Sequence, residues 1–119
     1  MTIYSWLPVY KSTYDLLLAV FLFSRSFARE YKYTIWQELK SETMKLMLLI
    51  YRANSSEDKR YSGISEAREV LEVIQLLLRL TKDLKQITLE DFVSLSKNIE
   101  NISKQLLGWQ RSSARKIWS

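Results

Sequence analysis

The sequence predicts an all-α fold, an antiparallel four-helix bundle running up-down-up-down as a single domain over residues 1–119. Three observations carry that expectation. Two glycines and one proline in 119 residues leave too few turn formers for a β-rich chain. Apolar residues recur at helical steps in four separate segments. The breaks between those segments are short, which forces consecutive helices to run antiparallel.

Residues 1–11 form an aromatic stretch in which Tyr4, Trp6 and Tyr10 surround Pro8. It reads either as an arm packed on the bundle or a neighbouring subunit, or as a loose terminus. Ser12 and Asp15 have the spacing of a capping box, so the first helix is expected from there to about Phe27. Leu16 to Phe23 is an unbroken apolar run, far short of the roughly 18 residues a membrane span needs. With Lys11 before it and Ser26-Phe27-Ala28 after it, the run also fits a short signal-peptide core. The adopted reading is a helix buried on more than one side. A lone bundle leaves one face of each helix wet, so this points to a homo-oligomer.

Arg25, Arg29 and Lys32 follow as a short basic segment, and Thr34 with Gln37 repeats the capping-box spacing. The second helix carries Leu39, Thr43, Leu46, Met47, Ile50 and Ala53 on one face. Asn54 to Gly63 is the clearest polar break. The third helix, Ile64 to Leu84, organises the chain because it has two adjoining stripes. One is Ile64, Ala67, Leu71, Ile74 and Leu78; the other is Val70, Val73, Leu77, Leu80 and Leu84. Two stripes suit two neighbours. Thr88 and Asp91 give a third capping box. The fourth helix then carries Phe92, Leu95, Ile99, Ile102, Leu106 and Trp109, and Gly108 reads as a point of close helix approach beside the Trp109 indole. Residues 111–119 read as a basic tail.

The chemistry expected of this chain is bounded by what it lacks. It has no Cys and no His, which removes disulfides, most zinc sites and the commonest general base. Glu90-Asp91 falls in a helix's first turn, where acids suit the dipole. Glu66, Glu69 and Glu72 share a face with no His to complete a di-metal site. No phosphate-loop motif is present. No catalytic residue, metal or cofactor is therefore expected.

The formal net charge of +5 is unevenly spread. Five bases face Glu100 alone from Lys97 to the end, three face Asp83 from Arg79 to Lys85, and three face Glu30 from Arg25 to Lys32. Dipole complementation at helix C-termini accounts for part of this. The excess otherwise suits an acidic partner such as RNA. Arg79, Lys82, Lys104, Arg111, Arg115 and Lys116, with Arg25, Arg29 and Lys32 in a secondary role, are the candidate nucleic-acid and partner-binding residues. Tyr31, Tyr33 and Trp118 lie near these bases and have the chemistry to stack on unpaired nucleobases, although bundle aromatics are more often core.

Four segments stand out as a set: Phe27-Ala28-Arg29-Glu30-Tyr31-Lys32-Tyr33-Thr34, Ala53-Asn54, Leu77-Leu78-Arg79-Leu80-Thr81-Lys82-Asp83-Leu84 and Leu106-Leu107-Gly108-Trp109. Together they resemble the accessory variability determinant of diversity-generating retroelements, a family related to the four-helix proteins encoded in intervening sequences of bacterial 23S ribosomal RNA genes. The chain departs from the family pattern at Ala28 for Pro, Thr81 for Ala and Leu107 for Gly. The resemblance implies a cytoplasmic homopentameric barrel with no membrane attachment. It implies a non-catalytic protein that binds the element's reverse transcriptase and structured template RNA and supports mutagenic, adenine-directed cDNA synthesis. Two alternatives stand beside it. One is a protein-only oligomeric scaffold like the intervening-sequence proteins, and the other is a secreted or membrane-attached helical protein whose mature chain begins after Ala28.

Overall fold

The fold is set by where each helix can start, and two of the three expected capping boxes do not set it. The computed structural model describes residues 8–118, with side chains through residue 114. Helix α1 spans Pro8–Leu22 among the described residues, and the fixed φ of Pro8 is compatible with helix. Ser12 and Asp15 therefore lie inside α1, where Asp15 pairs with Lys11 one turn back at 2.8 Å. A 3₁₀ turn, Phe23–Arg25, closes α1. Helix α2 starts at Arg29 and runs to residue 55 through a π turn at Lys32–Trp36. Thr34 does not cap it; its hydroxyl bonds back to the carbonyls of Glu30 (3.2 Å) and Tyr31 (3.4 Å). Helices α3 (Arg60–Asp83) and α4 (Leu89–Trp118) complete the chain. Thr88 does cap α4, its hydroxyl accepting the Asp91 N–H at 3.0 Å.

Helix already covers residues 8–11, and α4 continues through the segment read as a tail. Tyr4 and Trp6 of the expected arm lie outside the described residues.

Consecutive helices pack on one another and α4 closes back on α1, giving the antiparallel ring of four expected from the short connections. The proximal end holds the start of α1, the α2–α3 turn and the far part of α4. The distal end holds the finish of α1 and α3 and the starts of α2 and α4. The core runs between them. Val9, Leu16 and Val20 come from α1, and Leu39, Leu46, Leu49, Ile50 and Ala53 from α2. Helix α3 adds Ile64, Ala67, Leu71, Ile74 and Leu78, and α4 adds Leu95, Ile99, Ile102 and Leu106. Thr43 and Thr81 are fully buried among them, and each hydroxyl donates to the carbonyl one turn back, Leu39 and Leu77 respectively, at 2.7 Å. That hydrogen bond leaves neither buried hydroxyl orphaned.

Packing within the single chain leaves part of the expected apolar surface open. Helix α1 buries one side here, with Leu16 and Val20 enclosed, while Leu18, Phe21 and Leu22 of the apolar run are exposed, the surplus expected of a helix that needs a further neighbour. The second stripe of α3 stays largely outside the core, with Val70 buried but Val73 and Leu80 exposed. Gly108 is exposed and a Cβ there would meet nothing within 4 Å, so it is not a point of close approach. Gly63 is that point, its Cβ position lying 3.3 Å from the Ala53 Cβ where α3 leaves the turn. Trp109 is half-buried against the core, its ring 5.9 Å from the Arg60 guanidinium.

The α3–α4 connection is a Schellman turn. Lys85 N–H bonds to the Lys82 carbonyl (2.9 Å) and Gln86 N–H to the Thr81 carbonyl (3.0 Å), with Lys85 at φ 60°. A side chain in that region costs about 1–2 kcal/mol. Lys85→Gly is expected to raise unfolding free energy by about 1 kcal/mol in a denaturant titration, since the lysine makes no ion pair among the described residues.

Candidate nucleic-acid and partner interface

The distal end brings together five of the nine expected basic residues. Arg25 follows the close of α1, Arg29 and Lys32 lie in the first turns of α2, and Arg79 and Lys82 lie in the last turns of α3. The frame holding them is well tied. Ala28 donates its N–H to Gln86 Oε1 at 2.7 Å, and Gln86 Nε2 donates to the Leu84 carbonyl at 2.8 Å. Ala28 sits at φ −60°, a value proline shares, but the family's proline has no N–H for this hydrogen bond. Trp36, at the end of the π turn, donates its Nε1–H to the Val20 carbonyl at 2.8 Å and meets Phe21 edge-on with 6.4 Å between ring centres. Lys40 covers the Trp36 ring at 4.6 Å.

These cations are not equivalent. Arg25, Arg29 and Arg79 are exposed and make no ion pair among the described residues. Lys82 is half-buried, pairs with Asp83 at 3.4 Å and lies 4.7 Å from the centre of the Phe92 ring. It pins α3 to the start of α4 as much as it presents a charge. Arg79 sits in a surface depression with Leu76, Leu77, Leu80 and Asp83, so its charge borders apolar surface.

The other candidates lie on α4. Lys104 and Arg111 are exposed, seven residues apart, and Lys97 precedes Lys104 by the same step, so all three share one outer face. Glu100 takes part of the Lys104 charge at 3.4 Å. Arg115 and Lys116 continue α4, and their side chains lie outside the described residues. The distal group and the α4 stripe are therefore separate.

A further basic group at the proximal end was not among the expected residues. Arg52 and Lys59 line a concavity at the α2–α3 turn, floored by Leu49, Ala53 and Gly63 and edged by Ser55, Ser56, Ser62 and Glu66. Its volume is about 470 Å³. In sequence the two cations fall in a stretch balanced by acids, and only the turn joins them. Nearby Arg60 and Arg68 are occupied structurally. Arg60 donates to the carbonyls of Ala53 (2.9 Å) and Asn54 (3.1 Å), closing α2, and Arg68 donates to Gln110 Oε1 at 2.8 Å.

Large apolar side chains are exposed on two faces. On α1 and α2 they are Tyr14, Leu18 and Phe21 with Met44, Leu48 and Tyr51, each series at helical spacing. On α3 they are Val73, Leu76 and Leu80, with Leu89 and Val93 at the start of α4. The two groups lie on different helices of the ring, and clustered exposed apolar side chains are a common feature of interaction surfaces.

Among the described residues, no helix is long and apolar enough to cross a membrane. Residues 8–113 match the family model described as bAvd-like. No curated protein and no solved structure matches the chain.

Proposed function

The chain belongs to the bAvd-like family, accessory proteins of diversity-generating retroelements, and from that premise we propose that it is a non-catalytic partner of the element's reverse transcriptase and structured template RNA, acting as a homopentamer in mutagenic cDNA synthesis. The match over residues 8–113 is the observation that carries this reading. The unpaired cations support the RNA half of it. Arg79, Arg25 and Arg29 form one basic rim with Lys32 and Lys82. Lys104, Arg111, Arg115 and Lys116 form a second along α4. Contacts of this kind go to phosphates, orient the RNA and carry little sequence information. The two separate apolar groups support the assembly, because unlike faces that meet head to tail close into a ring when the rotation permits. A ring repeats each rim in every copy and gives avidity for a long RNA.

The test is a pair of measurements on the purified oligomer. It is expected to co-elute with the reverse transcriptase encoded beside it, and to bind template RNA with an affinity that falls steeply as salt rises. Co-elution with weak, salt-insensitive RNA binding would favour the protein-only scaffold. Failure of both would overturn the retroelement reading.

A further inference from the structure

Tyr33 is the most solvent-open of the exposed large side chains, at 71%. It stands at the distal end, inside the π turn of α2, and lines a shallow depression with Ala28, Arg29 and Glu30. Tyr31, two residues before it, is half-buried, so the two tyrosines of this segment have different surroundings. An apolar protein interface surrounds its aromatic with apolar neighbours. Tyr33 has charged neighbours as well as apolar surface: Arg29 and Glu30 share its depression with Ala28, and Lys32 is beside it in the chain.

The mount is rigid. The π turn adds a residue to the first part of α2 and turns the side chains before Gln37 out of the register that the core face of α2 follows. The turn is tied on both sides, by Ala28 N–H to Gln86 Oε1 before it and by Trp36 Nε1–H to the Val20 carbonyl at its end. Those ties set where the backbone presents Tyr33, and its open ring is free to meet a planar ligand. An unpaired base offers the matching π face and its backbone the matching charge; a paired base offers neither face to a side chain.

We infer that Tyr33 is a stacking platform for one unpaired nucleobase, with Arg29 taking an adjacent phosphate. The site thus adds recognition of single-stranded segments to the phosphate binding of the rim. It rests on the proposed RNA binding and deepens it, since stacking tolerates any base and follows strandedness instead.

The experiment compares wild type, Tyr33→Ala, Tyr33→Phe and Arg29→Gln by fluorescence anisotropy. The probes are a short single-stranded oligoadenylate and a blunt RNA duplex. Tyr33→Ala is expected to weaken oligoadenylate binding roughly tenfold while leaving duplex affinity, oligomeric state and reverse-transcriptase co-elution unchanged. Tyr33→Phe is expected to bind as wild type, because the ring and not the hydroxyl stacks. Arg29→Gln is expected to weaken both probes and flatten both salt dependences. Equal oligoadenylate binding by wild type and Tyr33→Ala would overturn the assignment. So would an equal loss on both probes, or a loss of oligomer or of transcriptase binding, which would place Tyr33 in a protein interface. Wild type that binds neither probe would instead remove the RNA half of the proposed function, and this site with it.

Discussion

Leu18→Glu with Leu48→Glu is expected to convert the proposed oligomer to a folded monomer of 14.2 kDa, and Leu76→Glu with Leu80→Glu to do the same from the second apolar group. In the isolated chain Leu18 is 48% exposed, Leu48 50% and Leu76 67%, so glutamate at these positions meets water and leaves the monomer's core intact. At an interface the same substitution removes roughly 1.5–3 kcal/mol of burial per leucine and strands a carboxylate out of water. Symmetry repeats that loss at every subunit boundary. Light scattering reads the mass, and far-ultraviolet circular dichroism checks that the helices remain.

Mixing the two variants tests the geometry. If the α1–α2 face of one copy meets the α3–α4 face of the next, each variant keeps one working face. The mixture then forms a single interface and stops at a heterodimer. Faces that pair with themselves would give a different result, since each variant alone would still dimerise through its intact face. Full-size oligomer from either double variant would show that these apolar side chains are not the interface.

The sequence carried the fold because helical periodicity is a local signal and the connections leave one topology. The helix starts were less legible. Ser12 with Asp15 and Thr34 with Gln37 have cap spacing, yet the same residues occur inside helices: α1 is already formed at residue 8, and Ala28 marks the start of α2. Residues 111–118 continue α4, since the exposed Gly108 does not end it. The apolar run of α1 gave a correct surplus but not its location. Leu18, Phe21 and Leu22 turn outward because one bundle offers α1 only one buried side. At the proposed site, charge clustering along the chain pointed to residues that the fold does gather at the distal end. It did not single out Arg52 and Lys59, which only the α2–α3 turn brings together, and it treated Arg79 and Lys82 as equivalent. That difference depends on Phe92 lying beside Lys82, a pairing between two helices that no local pattern encodes.

The same pairing decides which charges to reverse. Lys82→Glu would remove a cation from the Phe92 face and place two carboxylates side by side at residues 82 and 83, so any weakening would mix stability with binding. Arg25→Glu, Arg29→Glu and Arg79→Glu together avoid this, since all three side chains are exposed and unpaired among the described residues. The triple variant is expected to keep its melting temperature and oligomeric state. Its affinity for template RNA at about 0.1 M salt is expected to fall by at least tenfold. The slope of log affinity against log salt should flatten by about 0.7–0.9 for each phosphate that is no longer neutralised. If the proposed ring presents the rim in every copy, the fall on a long structured RNA should exceed the fall on a short duplex that touches one protomer. The same reversal on the α4 stripe, Lys104→Glu with Arg111→Glu, separates the two rims: an equal fall in both variants means that RNA spans the bundle from the distal end along α4. If the triple variant binds template RNA as wild type does, with an unchanged salt slope, the distal rim is not a phosphate-binding surface.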